Sequence, residues 1–473
     1  MTTAMRGIIG LGTYLPRLRL SRSAMADALG WLMPGISPKG HRTLAYWDEN
    51  STTMAVEAAR SALRSSAMPI TSLVLATTSP VFAEPLNSPT VHRALALPRS
   101  TPARDICGTG RACLSALVQM LEGSGTGLIV GADRHVGPAG SVQETRYSDG
   151  AAAAVVGDGN PVFEFLAGAD FTSAFIDRYR MPARPSGTGW EERWVREEGI
   201  LKQVPVAIAD ALSKAEVAPA DIKHLVFPSI LNGIGPALAR ASRLTGAAVA
   251  EDLVERCGNI GSGHALLMLS LAAERMEPGE LVVIAGFGQG ASALVLRRTS
   301  RELDEISRVS TQLESGIVDG NYLRLALYGG TLEWDRGLRG RTSAGEALST
   351  LSRYEDAILG FQGGRDRNGD ITFPPKNGEG MEPWPLADRN GRMASFTADL
   401  LAFSPSPPSC YGLVDFQGGG RLMMDVTDPD AGSVAVGDAV RFVFRVHDSD
   451  PATGYVRYFW KAVASKHDGA PNG

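Results

Sequence analysis

The chain has 473 residues, of which 44% are hydrophobic and 21% are charged, and its formal net charge is −5. This composition is typical of a globular protein of two or three domains, and the small negative charge argues against a nucleic-acid partner. Four widely spaced cysteines exclude a disulfide framework, and the absence of a long apolar run excludes a membrane span, so we expect a cytoplasmic protein without a signal peptide.

Strands and helices alternate through the first 300 residues. Apolar, β-branched runs predict buried strands, and apolar residues at helical spacing predict helices. A strand that enters a Gly/Pro turn is predicted at residues 7–16, and further strands at 72–77, 127–132, 151–156 and 225–227. The predicted helices cover residues 21–29, 52–63 and 112–121. Such alternation predicts an α/β fold built in layers.

A glycine-rich turn carries Cys107 between a strand and an apolar helix. The sequence of residues 105–117 is Asp-Ile-Cys-Gly-Thr-Gly-Arg-Ala-Cys-Leu-Ser-Ala-Leu. The pattern places Cys107 at or just before the first helical turn, where free N–H groups and partial positive charge favour the thiolate. Two interpretations follow from the residues alone: a nucleophilic thiolate, or a buried and inert cysteine.

A second stretch repeats this order of elements. Cys257-Gly258-Asn259 precedes an apolar helix at residues 265–273, a strand at 281–284, a small-residue turn at 286–290 and a strand at 291–296. The repeat predicts a duplicated α/β unit. In such a unit Asn259 occupies the position that Cys107 has in the first half, and both helix starts face one central site.

The remainder of the chain differs in character. Residues 299–352 are charged and weakly periodic, residues 361–375 are rich in turn formers, and short strands are predicted at 393–403, 412–416, 421–426, 439–446 and 455–464. Five short strands with Gly and Pro turns predict a small β-barrel. The predicted units are two α/β halves (1–160 and 161–298), a connector (299–352), a ribbon with a barrel (353–465) and a tail (466–473).

These residues together resemble the thiolase superfamily, in particular 3-hydroxy-3-methylglutaryl-CoA synthases and type III ketoacyl-ACP synthases. The resemblance covers roughly residues 5–298 and is carried by residues 7–16, 48–55, 148–151, 258–259 and 286–290 together with Cys107 and its helix. The last 120 or so residues resemble DUF35-type OB-fold proteins with a zinc ribbon. The resemblance implies a duplicated five-layer αβαβα fold fused to an OB-fold barrel.

The resemblance also implies an acyltransferase that works by a ping-pong mechanism. Cys107 would be acylated by an acyl-CoA or acyl-carrier protein, and Asn259 would face a second acyl thioester. The N–H groups of Cys107 and Gly288 would form the oxyanion hole. The family's enzymes usually dimerise, so a homodimer is implied, with coenzyme A thioesters as substrates and no permanently bound cofactor.

The sequence departs from the family at two catalytic positions. The family's histidine follows a strand like residues 225–227, where this chain has Pro228 and Ser229, and the synthases' glutamate is missing near residues 77–79, with Glu84 displaced. His264 is a candidate for a relocated acid or base, or a packed structural histidine; His92 and His135 are lesser candidates. Ser229 could bind an acyl oxygen or only stabilise its turn.

Two further expectations concern ligands. Trp31, Lys39 and Arg42 lie in the region that contacts the CoA nucleotide in related synthases, although solvated surface residues would look the same. The ribbon has lost its CxxCG ligands, because Gln362-Gly363-Gly364 stands in that place and Cys410 is alone, so we predict no zinc. The barrel would be structural or would cover the substrate entrance.

Three functions remain open from the sequence. The first is an acyltransferase that condenses two acyl thioesters through a carbon–carbon bond. The second passes the acyl group from Cys107 to a hydroxyl, amine or aromatic carbon of a small acceptor, which needs less enolate chemistry. The third is a non-catalytic scaffold in which Cys107 is vestigial.

Overall fold

The computed structural model describes residues 5–66, 68–181, 184, 186–303, 308–335, 347–376, 380–450 and 452–465. The predicted tail at 466–473 lies outside the described residues, as does part of the predicted connector. In the first half the elements are β1 Met5–Tyr14, β2 Leu18–Ser21, α1 Arg22–Leu29, β3 His41–Leu44, α2 Ser51–Arg64, β4 Ser72–Thr77, α3 Ser88–Ala94, β5 Ala103–Cys107, α4 Ala112–Glu122, β6 Gly127–Asp133, α5 Val142–Arg146 and β7 Gly150–Gly159.

The second half repeats this plan with shorter edge elements. It consists of β8 Phe163–Thr172, β9 Arg178–Tyr179, β10 Thr188–Gly189, α6 Glu192–Trp194, a π-helical turn Val195–Ile200, α7 Leu201–Lys214, β11 Ile222–Val226, α8 Ile234–Ala241, β12 Ala248–Val249, α9 His264–Ala273, β13 Leu281–Phe287 and β14 Gly290–Arg298.

Ten of these strands form one sheet, in the order β12-β11-β13-β14-β8-β1-β7-β6-β4-β5. Each half contributes five strands, with the same mixture of parallel outer pairs and antiparallel inner pairs. The symmetric strand order confirms the predicted duplication.

The helices form layers on both sides of the strands. Helices α4 and α9 contact strands of both halves, whereas α2 packs on β1, β6 and β7 and α7 packs on β8, β13 and β14. Helix α9 is apolar on nearly every face, and nine of its ten residues are buried. A helix that is hydrophobic all round has to lie inside the fold, which explains the central position of α9.

The connector and barrel follow. Their elements are α10 Val309–Glu314, β15 Ile317–Asp319, α11 Tyr322–Tyr328, α12 Leu348–Arg353, α13 Glu355–Ile358, β16 Gln362–Arg365, β17 Ile371–Thr372, β18 Glu382–Pro385, β19 Gly391–Met393, β20 Thr397–Asp399, β21 Ser409–Phe416, β22 Arg421–Val426, β23 Ala439–Ser449 and β24 Val456–Ala464. In the connector, β15 pairs with β2 of the first half.

The C-terminal strands close into a barrel in the order β19-β23-β24-β22-β21, because β19 pairs with both β23 and β21. The predicted strand at 393–403 is wrong in extent. It is divided into β19 and β20, because the N–H groups of Ala394 and Ser395 bond the carbonyl of Leu413 between them.

The barrel packs on the outer face of α2. Phe444 N–H donates to Glu57 at 3.0 Å, and the Arg60 guanidinium donates to the Phe442 carbonyl at 2.9 Å while lying over the Trp460 ring. Buried residues of α2 and of the barrel belong to one continuous apolar core. Within the described part of the chain, no helix is long and apolar enough to cross a bilayer.

Candidate active site

A cavity of about 330 Å³ lies where the starts of α4 and α9 meet. The first half contributes Gly110, Arg111, Leu114 and Tyr147, and the second half contributes Asn259, Gly261, Ser262, Ala265, the loop 227–231 and the Gly286–Phe287 strand end. The expectation that two helix starts share one site agrees with this geometry. No described residue of the barrel lines the cavity.

The Asp133 carboxylate joins the end of β4 to the start of α9. Its Oδ1 accepts hydrogen bonds from Thr77, Thr78 and Ser79 at the end of β4, and its Oδ2 accepts from the Ser262 N–H at 2.7 Å and Oγ at 2.8 Å. Burial raises the pKa of this carboxyl, but His135 and the hydrogen bonds outweigh burial and leave the pKa below its usual value. Asp133 therefore serves as an ionised junction beneath the cavity.

Asn259 is fixed in the cavity wall by its backbone and by its side-chain oxygen. Its N–H donates to the Arg146 carbonyl, its carbonyl accepts from Ser148 N–H, and its Oδ1 accepts from Gly261 N–H at 2.9 Å. These bonds fix Asn259 in the wall of the cavity. The location of Asn259 matches the expectation from the sequence.

Cys107 is the last residue of β5 and does not line the cavity, which begins at Gly110. Its side chain is exposed, whereas Cys113, Cys257 and Cys410 are buried. Burial of part of the thiol raises its pKa, and Asp105 and Asp133 raise it further. The expected stabilisation of the thiolate is therefore wrong in direction, because α4 begins only at Ala112 and the nearest charges are negative.

The predicted oxyanion donor Gly288 is also placed differently. Its N–H donates to the Gly290 carbonyl inside the β13–β14 hairpin, and its carbonyl accepts from Arg111 Nε at 2.7 Å and from Thr109 Oγ1 at 3.1 Å. This N–H is therefore engaged and cannot serve as the predicted donor. Ser229 does line the cavity; its Oγ accepts from Leu231 N–H at 3.0 Å, which leaves its hydroxyl hydrogen available.

His264 is fully buried and does not line the cavity. Its Nδ1 accepts from Ile260 N–H at 3.2 Å, so Nε2 carries the hydrogen and donates to the Asp252 carbonyl at 2.7 Å. Burial lowers its pKa to about 4. The structure therefore contradicts the relocated-base hypothesis: both ring nitrogens are engaged in positioning the start of α9. His92 is likewise buried, against the Pro98 carbonyl.

The proposed nucleotide-binding residues divide into two groups. Trp31 is 82% exposed and Lys39 is exposed, and Met33 beside them packs on Gly140, next to the cavity-lining residue Val142. Arg42 is fully buried, donates to the Glu144 carbonyl at 2.6 Å and lies 3.6 Å from the Asp149 carboxylate. The prediction for Arg42 is wrong, because its charge is used inside the fold.

The polar residues of the cavity that sequence reasoning missed include Tyr147, Asp177 and Arg178. The Arg178 guanidinium lies 4.7 Å from the centre of the Tyr147 ring. Asp177 and Arg178 belong to a segment with no recognisable motif, and only the pairing of β9 with β10 brings them over the cavity.

The predicted ribbon is a three-stranded sheet of β16, β17 and β18. Gln362, Gly363 and Gly364 form most of β16. Among the described residues, no group of three or more His, Cys, Asp or Glu side chains is arranged to hold a metal ion.

Comparisons of sequence match two parts of the chain to known families. The family model described as 3-oxoacyl-[acyl-carrier-protein] synthase III C terminal matches residues 212–298, and that described as ChsH2, C-terminal OB-fold domain matches residues 384–445. Hydroxymethylglutaryl-CoA synthase of Methanopyrus kandleri is 26% identical over 68% of this chain and 95% of that protein. The enzyme of Picrophilus torridus is 28% identical over 61% of this chain and 86% of that protein.

Comparisons of structure show the same fold. The 3-oxoacyl-(acyl carrier protein) synthase III of Pseudomonas aeruginosa superposes with a TM-score of 0.55 and 23% identity, covering 64% of this chain and all of that one. A hydroxymethylglutaryl-CoA synthase complexed with CoA superposes with a TM-score of 0.59 and 16% identity, covering 72% of this chain and 95% of that one.

Proposed function

The chain fuses a thiolase-like domain to an OB-fold domain, and from that premise we propose that it is an acyltransferase that joins two acyl thioesters through a carbon–carbon bond. The observation that carries the proposal is the cavity at the junction of α4 and α9, with the Asn259 amide in its wall. The similarity to condensing synthases over most of the thiolase-like domain supports it. Transfer to other acceptors and a scaffold role have no comparable support.

The proposed substrates are thioesters of coenzyme A or of an acyl-carrier protein, with no permanently bound cofactor. Trp31 and Lys39 are exposed, and an aromatic ring and a cation suit an adenine and a phosphate. A homodimer and a cytoplasmic location complete the proposal. The short edge strand β5 offers an unpaired side to a second copy, and the free cysteines suit a reducing compartment.

Cys107 is the proposed acyl acceptor. It is the exposed cysteine, whereas burial raises the pKa of the Cys113 and Cys257 thiols to about 12 and leaves them unreactive. In this step the Cys107 sulfur bonds to the acyl carbon. The bond from that carbon to the CoA sulfur breaks, and the CoA sulfur leaves with its electron pair and takes up the proton of the Cys107 thiol. The raised pKa of Cys107 predicts slow acylation at neutral pH.

Intact-protein mass spectrometry after incubation with acetyl-CoA tests this step. We expect an added acetyl group on the wild type and on Cys410→Ala, whose cysteine is buried in the barrel, and no adduct on Cys107→Ala. An adduct that persists in Cys107→Ala, or no adduct on the wild type, would reject the covalent step. Condensation directly between two bound thioesters would then remain to be measured through its product.

A further inference from the structure

The cation Arg178 and the carboxyl group of Asp177 both lie in the wall of the cavity. Of the two arginines in the cavity wall, Arg111 is engaged: its Nε donates to the Gly288 carbonyl at 2.7 Å, and its Nη1 donates to Ser292 Oγ at 2.9 Å and lies 3.3 Å from Asp170. The Arg178 side chain hydrogen-bonds to Thr78 Oγ1 at 3.4 Å and to the Tyr147 side chain. Within the described ranges, no carboxylate lies within 4 Å of Arg178.

The position of Arg178 is fixed by its surroundings. The β9–β10 pairing holds its backbone, and Arg180 anchors the same strand by donating to the Thr78 carbonyl at 3.0 Å. The Arg178 guanidinium lies over the Tyr147 ring and is 3.8 Å from the point where a side chain at Gly110 would begin. The guanidinium therefore lies against the turn before α4, on the same cavity as Asn259.

Asp177 also lines the cavity, directly before Arg178 in the chain. Its backbone carbonyl accepts from Trp190 N–H at 2.8 Å, which fixes the start of the hairpin. Burial raises the pKa of its carboxyl group, although Arg178 opposes the shift. A carboxyl group with a raised pKa beside a fixed cation is a common arrangement for moving a proton.

We infer that Asp177 is the acid–base residue of the cavity and that Arg178 stabilises the enolate oxygen of an acyl thioester. The inference rests on the proposed function and assigns residues to the step for which the family's histidine and glutamate are missing. A permanently charged guanidinium placed where negative charge develops is a strong form of electrostatic catalysis.

The chemical step balances within the cavity. The Asp177 carboxylate removes a proton from the α-carbon, the C–H electron pair forms the enolate double bond, and the negative charge on oxygen lies beside Arg178. The enolate carbon then attacks the carbonyl carbon of the second acyl thioester. The carbon–carbon bond forms as the thiolate leaves, and that thiolate takes the proton back from Asp177.

Exchange of the α-protons tests the inference without requiring condensation. The full chain is incubated with acetyl-CoA, butyryl-CoA or octanoyl-CoA in deuterium oxide, and deuterium in the acyl group is measured by mass spectrometry. We expect exchange with the wild type, a loss of about a hundredfold or more in Asp177→Asn and Arg178→Gln, and partial retention in Arg178→Lys, which keeps the charge. Glu191→Gln, an exposed neighbour of the hairpin, is the matched control and should exchange like the wild type.

Thermal unfolding of each variant separates catalysis from folding. Wild-type exchange that persists unchanged in both Asp177→Asn and Arg178→Gln would overturn the inference and leave the proposed function standing. Loss of exchange in both Asp177→Asn and Arg178→Lys would also overturn the inference if the melting temperatures of the two variants fell by the same amount. No exchange by the wild type with any of the three thioesters would overturn the proposed function together with the inference.

Discussion

Buried polar side chains fix the walls of the cavity. Asp133 joins the end of β4 to the start of α9, and His264 bridges the Ile260 N–H and the Asp252 carbonyl. His135 stacks on the cavity residue Tyr147, and burial lowers its pKa to about 4. Each of these side chains stabilises the folded protein in only one of its protonation states. A buried polar group that loses its hydrogen-bond partner in the other state costs free energy. The stability of the fold should therefore depend on pH.

The His264 pKa gives the direction of that dependence. A histidine whose pKa is lower in the folded protein stabilises it only while neutral, so the free energy of unfolding should fall as the pH drops from about 6.5 towards 4. Between pH 7 and pH 5 we expect the wild type to lose about 2 kcal/mol more than His264→Gln does. Urea denaturation at both pH values measures this, and equal losses would contradict the buried neutral state.

Single residues were predicted from the sequence with uneven success. Asn259 was located correctly, because its position depends on the local start of a helix that the repeat made visible. Arg42 was misplaced, because its burial depends on contacts with residues distant in the chain, such as the Glu144 carbonyl. Asp177 and Arg178 carried no motif, since a hairpin and not a sequence pattern brings them to the cavity.

At the scale of elements, the apolar pattern predicted the sheet and the inner helices well. Strand β4 at residues 72–77 agrees in both bounds, and α4 begins at the predicted residue. The predicted barrel strand at 393–403 failed, because two backbone bonds to one carbonyl on the neighbouring strand interrupt it. Local pattern determines which segments are strands, while their ends depend on partners that the sequence does not reveal.

Helix α2 offers a test of local sequence control. Asn50 and Thr53 form a capping box: the Asn50 side chain accepts from Thr53 N–H at 3.0 Å, and Asn50 N–H donates to Thr53 Oγ1 at 2.8 Å. Asn50→Ala should lower the free energy of unfolding by about 1 kcal/mol more than Asn50→Ser, which retains a capping oxygen. Both variants lose the Asn50–Tyr458 bond, so their difference isolates the cap. Equal unfolding midpoints would contradict this role.

At the scale of the whole molecule, a buried group of charges joins the thiolase-like domain to the barrel. Arg445 of β23 is 1% exposed and lies 3.1 Å from Glu49, 3.2 Å from Asp428 and 3.8 Å from Asp48. Lys461 of β24 adds a second cation, 2.9 Å from Asp48. Buried carboxylates are tolerated only when paired, so the two domains depend on each other for stability. The sequence predicted both domains but gave no sign of this interface.

Arg445→Met tests that dependence. The change removes the cation beside the buried Glu49 and leaves Asp428 with Arg17 at 3.8 Å, and we expect the free energy of unfolding to fall by about 3 to 5 kcal/mol. Arg421→Met is the control, because Arg421 pairs with Asp415 on the exposed face of the barrel and its loss should leave the melting temperature nearly unchanged. Similar melting temperatures for the two variants, measured by calorimetry, would contradict a stabilising interface.

Product analysis tests condensation most directly. The full chain is incubated with acetyl-CoA labelled with carbon-13 in the acetyl group, together with short- and medium-chain acyl-CoAs, and the products are identified by mass spectrometry and NMR. We predict a product in which the labelled carbons are bonded through carbon to the second acyl group, together with free coenzyme A. Recovery of only unchanged thioesters, or of labelled acetate as the sole product, would contradict the proposed function.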